Sequence, residues 1–161
     1  MKSKEEIWSI LETIPDPEIQ VISIVELGIA RDVQIEGDKV VVCITPTYSG
    51  CPAMDAITHD IREKFAEEGI KNTEIKMIYS PVWTTDWIGE EAKKKLKAYG
   101  IAPPDKTSTD KSLITGKKKI IPCPRCGSDK TILVSQFGST ACKALYKCEE
   151  CLEPFDYFKC H

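Results

Sequence analysis

The sequence predicts an α+β protein, a small mixed sheet with helices followed by a small zinc-ribbon unit. Three observations carry this. Apolar residues recur at helical spacing in separate segments, Val- and Ile-rich runs lie between them, and six of the eight cysteines crowd into the C-terminal quarter around two C-x2-C pairs. With 161 residues there is room for one fair-sized core, so any second unit must be small. Hydrophobic residues at 42% and charged residues at 29% are ordinary for a folded, water-soluble chain and exclude general disorder.

The elements follow in order. Ser3 precedes KEEIWSILETI, in which Ile7, Ile10, Leu11 and Ile14 share one helical face and Glu6 stands three places after the serine, the pattern of a capping box. Pro15 and Pro17 end that helix. Ile29 to Ile35 and Lys39 to Thr45 read as an antiparallel hairpin broken at Glu36-Gly37-Asp38. Helical spacing resumes after Pro52 with Met54, Ile57, Ile61 and Phe65, and Gly69 is placed to terminate it. Thr73 to Tyr79 reads as a third strand. The segment DWIGEEAKKKLKAYG reads as a short helix, acidic early and basic late to suit the helix dipole, with Gly100 as its stop.

This order places an α+β domain over residues 1–102. A Pro-, Ser- and Lys-rich stretch over 103–119 has linker composition, and 120–161 is the ribbon. Within the ribbon, TILVSQFG and ALYKCEE supply the strand-like residues of a hairpin. Charge divides similarly. Up to Gly116, 14 Lys and Arg stand against 20 Asp and Glu, whereas from Lys117 onward 8 stand against 5. The mildly basic tail is a weak hint of nucleic-acid contact; its ordinary reading is a solvated surface, and no nucleic-acid partner is expected.

The N-terminal stretch MKSKEEIWSILETIPD has no apolar core of signal-peptide length, and no run approaches the roughly 18 apolar residues of a membrane span. The expectation is a cytoplasmic protein without a membrane partner, whose cysteines stay reduced and serve metal or thiol chemistry. Cys123 and Cys126, then 21 intervening residues, then Cys148 and Cys151 form the doubled motif. Two residues between thiolates let one tight turn aim both sulfurs at one ion, and two such turns complete the closed tetrahedron of structural zinc. A unit of about 40 residues buries too little apolar surface to be stable alone, so an ion there also answers a need for stability. Cys142, Cys160 and His161 are left as alternative ligands, a second weak site, or simple packing and exposure.

Cys51 stands apart. Pro52 suits the first position of a helix, which makes Cys51 the N-cap, with unpaired amides and the positive end of the dipole facing its sulfur. Gly50 lets the turn approach another backbone or a bound group, and Thr47, Tyr48 and Ser49 add hydroxyls. A thiol enzyme acting at Cys51 needs a base. His59 lies eight residues along the same helix, about 12 Å at the standard rise, and His161 is in the other unit. That enzyme class is disfavoured. Asp16 and Glu18, in the extended stretch IPDPEI, sit on proline-stiffened backbone; they are either carboxylate partners of the Cys51 thiolate in a weak iron site or solvated acids beyond a helix stop.

Taken together, IPDPEI with VELGIARDV, PTYSGCPAMDAI, PVWTTDW and FGSTACKALYKCEECLEPFDYFKC resemble, over nearly the full length, the PaaD family associated with the phenylacetyl-CoA epoxidase system. The N-terminal part resembles the metal-sulfur cluster assembly family. The resemblance implies a non-catalytic accessory protein that matures the epoxidase with a transient iron or iron-sulfur cluster. It puts Asp16, Pro46, Thr47 and Cys51 on the family's motif positions, with Cys51 handling the cluster. The implied partners are epoxidase subunits, either the oxygenase or the reductase component, and the iron-sulfur assembly machinery.

Overall fold

The computed structural model describes residues 2–48, 50–104 and 120–158. The chain divides into two units, Met1–Trp83 and Thr84–His161.

In the first unit, helix α1 spans Lys4–Glu12. The capping box forms as the sequence requires: the Glu6 N–H donates to the Ser3 hydroxyl at 3.2 Å, and the Ser3 N–H donates to the Glu6 carboxylate at 2.6 Å. Ile7, Ile10 and Leu11 turn to the core. Residues 14–29 then run as a tightly packed irregular segment. Its turns are closed by Asp16 N–H to Ile22 O at 2.9 Å and Ile24 N–H to Ile14 O at 3.0 Å. Six apolar side chains, Ile14, Ile19, Ile22, Ile24, Leu27 and Ile29, are buried there. A second Ser-x-x-Glu reciprocal pair closes the last turn, Ser23 N–H to Glu26 carboxylate at 2.9 Å and Glu26 N–H to Ser23 hydroxyl at 3.1 Å.

Strands β1 (Ala30–Glu36) and β2 (Lys39–Ile44) form the expected antiparallel hairpin, with Glu36 opposite Lys39 and Gly37 in the left-handed region at φ +65°. Helix α2 (Ala53–Glu67) carries the chain over to β3 (Thr73–Met77), which pairs parallel to β2. The strand order β1-β2-β3 leaves β2 central, and Val40 to Ile44 are all buried. Ile57, Ile61 and Phe65 of α2 are fully buried. Trp83 closes the unit, its indole N–H donating to Leu27 O at 2.9 Å.

The second unit begins with a single 3-10 turn, Thr85–Trp87, and helix α3, Glu90–Tyr99. The expected helix from Asp86 is therefore interrupted: Ile88 and Gly89 are extended, and α3 starts at Glu90. Gly100 ends it at φ +93°, the left-handed C-terminal position the sequence assigns to it. Strand β4 (Ile101–Ala102) pairs parallel to β7 (Pro154–Phe158), β7 pairs with β6 (Lys143–Cys148), and β6 with β5 (Thr131–Ser135), in the order β4-β7-β6-β5. Strand β4 joins the C-terminal sheet and α3 precedes it directly, within the unit Thr84–His161. Residues 105–119 of the expected linker lie outside the described residues, as do Ser49, Cys160 and His161. The core of this unit is Ala102, Ile121, Cys123, Ala144, Cys148, Phe155 and Tyr157. Tyr146 stacks on Phe155 with centroids 5.8 Å apart and meets Tyr157 edge-on at the same distance.

Candidate functional site

Two places carry chemistry. The first is in the ribbon. In each knuckle the first cysteine's amide bonds a carbonyl five residues on: Cys123 N–H to Ser128 O at 2.9 Å, and Cys148 N–H to Glu153 O at 3.0 Å. In each the residue after the second cysteine is left-handed, Gly127 at φ +76° and Leu152 at φ +64°. Gly127 adopts this freely, whereas a leucine there is strained by about 1–2 kcal/mol. The two knuckles are thus near copies, and they bring four sulfurs within 4.8 Å of one another.

The geometry suits a tetrahedral ion. With metal–sulfur bonds of about 2.3 Å, the sulfurs of a regular tetrahedron stand about 3.8 Å apart. Cys123 and Cys151 Sγ are 3.8 Å apart, and Cys126 and Cys148 Sγ are 3.5 Å apart. The thiols titrate very differently. Backbone amides of Cys151 and Glu150 donate to the Cys148 sulfur and hold its pKa down to about 7. Cys151 receives the Glu153 amide, which favours its thiolate, but burial and the neighbouring sulfurs outweigh this and push it up to about 12. Cys126 is also raised: its bond from the Ser128 amide is outweighed by burial and by Cys148 and Cys123. One thiol ionises readily and its negative charge resists the next, so the full set of thiolates calls for a cation among them. The four cysteines are arranged as a group that could hold a metal ion. Cys142 is not part of it; it is buried, with its sulfur 3.0 Å from the Thr140 hydroxyl.

The second place is at one end of the first sheet. Parallel pairing aligns the carboxyl ends of β2 and β3, Ile44 opposite Met77, and Ile78 N–H continues the pairing to Ile44 O at 2.8 Å. Thr45 N–H donates to Ile29 O, so the segment leading into β1 arrives at this end as well. The segment leading to the Cys51 turn and the loop after β3 therefore both leave from where the parallel strands end, a common position for sites in sheets of this kind.

Cys51 is half-buried and Thr47 is buried, with the Thr47 hydroxyl 3.9 Å from the Cys51 sulfur. Cys51 N–H bonds Tyr48 O and Met54 N–H bonds Cys51 O, both at 3.3 Å. This turn places the helix cap one residue later than expected: Pro52 holds it, with helical dihedrals, and α2 starts at Ala53. Gly50 is in the left-handed region at φ +75°, and a Cβ on it would meet no protein atom within 4 Å, so no neighbouring backbone of this chain requires the glycine there.

Asp16 is only 4% exposed, and its Oδ1 accepts the amides of Glu18 at 2.9 Å and Ile19 at 2.8 Å. The carboxylate is thus built into its own turn, while Glu18 is half-buried beside it. Among the described residues, Asp16, Glu18 and Cys51 do not converge as a set of three donors in the way the ribbon cysteines do. His59 is exposed and faces Glu63 at 4.0 Å, leaving the thiol–imidazole arrangement unsupported. Asp16 closes its own turn, and an Asp two residues before an amide that donates to its side chain is itself the sequence signal of such a turn.

A family model described as an iron-sulfur cluster assembly protein matches residues 4–77, and one described as the PaaD zinc beta ribbon domain matches residues 107–159. The chain is 48% identical, over 96% of its length and 92% of the relative's, to a protein of Escherichia coli (strain K12) named as a component of a 1,2-phenylacetyl-CoA epoxidase. It is 36% identical, over 60% of this chain and 92% of the relative, to an Fe-S protein maturation auxiliary factor of Porphyromonas gingivalis. Among solved structures, a domain of unknown function from Bacillus anthracis superposes with a TM-score of 0.54 at 26% identity, covering 58% of this chain and 90% of that one. The auxiliary factor and the solved structure thus match little more than half of this chain, whereas the Escherichia coli relative matches nearly all of it.

Proposed function

Because the chain belongs to the PaaD family, whose Escherichia coli relative is named for a phenylacetyl-CoA epoxidase, we propose that it is a non-catalytic accessory protein that carries iron or an iron-sulfur cluster, as cargo, into the epoxidase system. The observation that supports this most directly is Cys51. Its half-buried sulfur stands in a tight turn at the carboxyl end of the parallel pair, in the part of the chain matched by the assembly model.

Cys51 supplies a soft thiolate, the ligand type best suited to iron-sulfur species. The Thr47 hydroxyl beside it orients the sulfur. Asp16 acts as a positioning residue by fixing the turn that presents Glu18, whose carboxylate is the second donor for cargo. A single thiolate with weak oxygen donors holds iron loosely, which suits transfer better than storage. The four ribbon cysteines hold a separate, structural zinc; when bound it supplies cross-linking and no reaction, since four thiolates leave it no open position. The oxygenase or reductase component of the epoxidase receives the cargo, and the iron-sulfur assembly machinery supplies it. The reduced thiols fit a cytoplasmic protein, and among the described residues no helix is long and apolar enough to cross a membrane.

Cells expressing the epoxidase components with wild-type protein or with Cys51→Ala test this. The expected result is that Cys51→Ala folds and keeps its ribbon metal, because the half-buried Cys51 side chain does not cap α2 and belongs to a different unit from the ribbon cysteines, while the client protein is recovered poor in iron and inactive. Full iron loading of the client beside Cys51→Ala refutes the carrier reading.

A further inference from the structure

The ribbon ends in an edge that a folded protein usually protects. Among the described residues β5 is the outer strand of the order β4-β7-β6-β5, and one of its sides is taken by β6. Natural edge strands carry lysine, proline or inward charge to prevent pairing with other chains. Here the strand is Thr-Ile-Leu-Val-Ser, with no charge and no proline. Ile132 is 45% exposed, Leu133 44%, Val134 55%, and Phe137 just beyond the strand 67%. Four of the ten large apolar side chains most exposed in the described protein therefore fall within six residues.

The register explains why both faces of the strand are apolar. Leu133 lies opposite Tyr146, on the face that packs the aromatic core, so the rim of that core is left uncovered at β5. Ile132 lies opposite Lys147 on the other face. The register shift between Leu133 and Ser135 adds Val134 to the exposed set. An added strand would cover Leu133 and the Tyr146 rim on one face and Ile132 on the other.

We propose that β5 is a docking edge for an extended segment of an epoxidase component, which adds to the ribbon sheet as a further strand. This rests on the accessory-protein reading above and names the surface by which the partner is held. Size decides between occupants. Three half-exposed aliphatic side chains and one phenylalanine offer on the order of 400 Å² of apolar surface, about half of the roughly 800 Å² per partner in a stable dimer. Five residues of edge suit a peptide strand that arrives and leaves, held by main-chain hydrogen bonds and alternate side chains, and fall short of a standing pair of copies. Lys147, exposed beside Ile132, favours a segment with an acidic residue at that register.

The test uses the full-length protein with the purified oxygenase and reductase components, measuring binding by titration and amide exchange at residues 131–137. One component is expected to bind and to slow exchange there. Val134→Lys is expected to keep its ribbon metal and weaken binding by at least about tenfold. Unchanged binding by metal-loaded Val134→Lys, or no exchange protection in the wild-type complex, overturns the docking edge and leaves the carrier reading intact. Should Val134→Lys lose its metal, the wild-type exchange measurement decides alone. Protection of 131–137 in the free protein at all concentrations shows the edge covered by this chain, and protection that grows with protein concentration shows a second copy; either overturns the proposal. If neither component binds the wild type, the accessory-protein reading itself falls and the docking edge with it.

Discussion

Replacing Cys148 by alanine tests the ribbon most severely, because this residue belongs to the metal group and to the core at once and is fully buried. Structural zinc contributes about 10–16 kcal/mol to sites of this type. Shared over four ligands, that is about 2.5–4 kcal/mol each, so loss of one predicts metal affinity lower by about two to three decades. The core of so small a unit supplies about 3–5 kcal/mol by itself, so losing one ligand's share removes most of the unit's net stability. The first unit has its own core, from Ile7 to Trp83, and shares none of these ligands. Metal content and amide dispersion measured on the same sample give the answer. Cys148→Ala should bind well under one metal per chain and lose dispersed signals for β5 to β7 while keeping those of β1 to β3. A metal-free Cys148→Ala with native ribbon signals would refute the argument that the ion stabilises this unit.

Further outcomes follow from particular residues. Asp16→Ala should destabilise the first unit by about 2–4 kcal/mol in denaturant unfolding, since one buried and one part-buried amide lose their acceptor; Asp16→Asn, which keeps an acceptor oxygen, should recover most of that, and an equal loss in both would assign the effect to charge. Apparent metal affinity of the ribbon should rise with pH, because Cys148 at about 7 and the raised Cys126 and Cys151 must shed protons to bind; a competition titration showing no pH dependence between about pH 6 and 8 contradicts thiolate ligation. Leu152→Gly should relieve the left-handed strain at that knuckle and slow metal loss to a chelator; unchanged or faster loss would mean that the leucine is not strained there.

What the sequence made legible was mostly local. The capping box at Ser3 and Glu6, the hairpin turn at Gly37, the stop at Gly100 and the spacing of the four ribbon cysteines each involve residues a few positions apart or a repeated motif. The pairing of β4 with β7 was not legible: Ile101 and Asp156 meet across more than fifty residues, and two residues of strand leave no periodicity to read. That pairing is why α3 and β4 belong with the ribbon sheet. Strand β7 was obscured in the same way, since Pro-Phe-Asp-Tyr-Phe alternates weakly and begins with a residue that reads as a breaker. At the Cys51 site the residue types were readable and their arrangement was not. The cap slid from Cys51 to Pro52, because a turn closed through Tyr48 O came first, and Asp16 found its partners in neighbouring amides.

Cys123 and Cys148 belong both to the core and to the group that could hold an ion, so a metal bound there and the aromatic stack would be two ends of one balance. Whatever the ion contributes to packing Tyr146, Phe155 and Tyr157, that packing must return to the ion, since free energy around a closed cycle sums to zero. Thinning the stack at a distance from any sulfur would therefore loosen the ion, and a cell short of that ion would hold a population of chains whose aromatic layer is slack. Metal supply would then set how many copies present a finished ribbon, without any dedicated sensor in the chain.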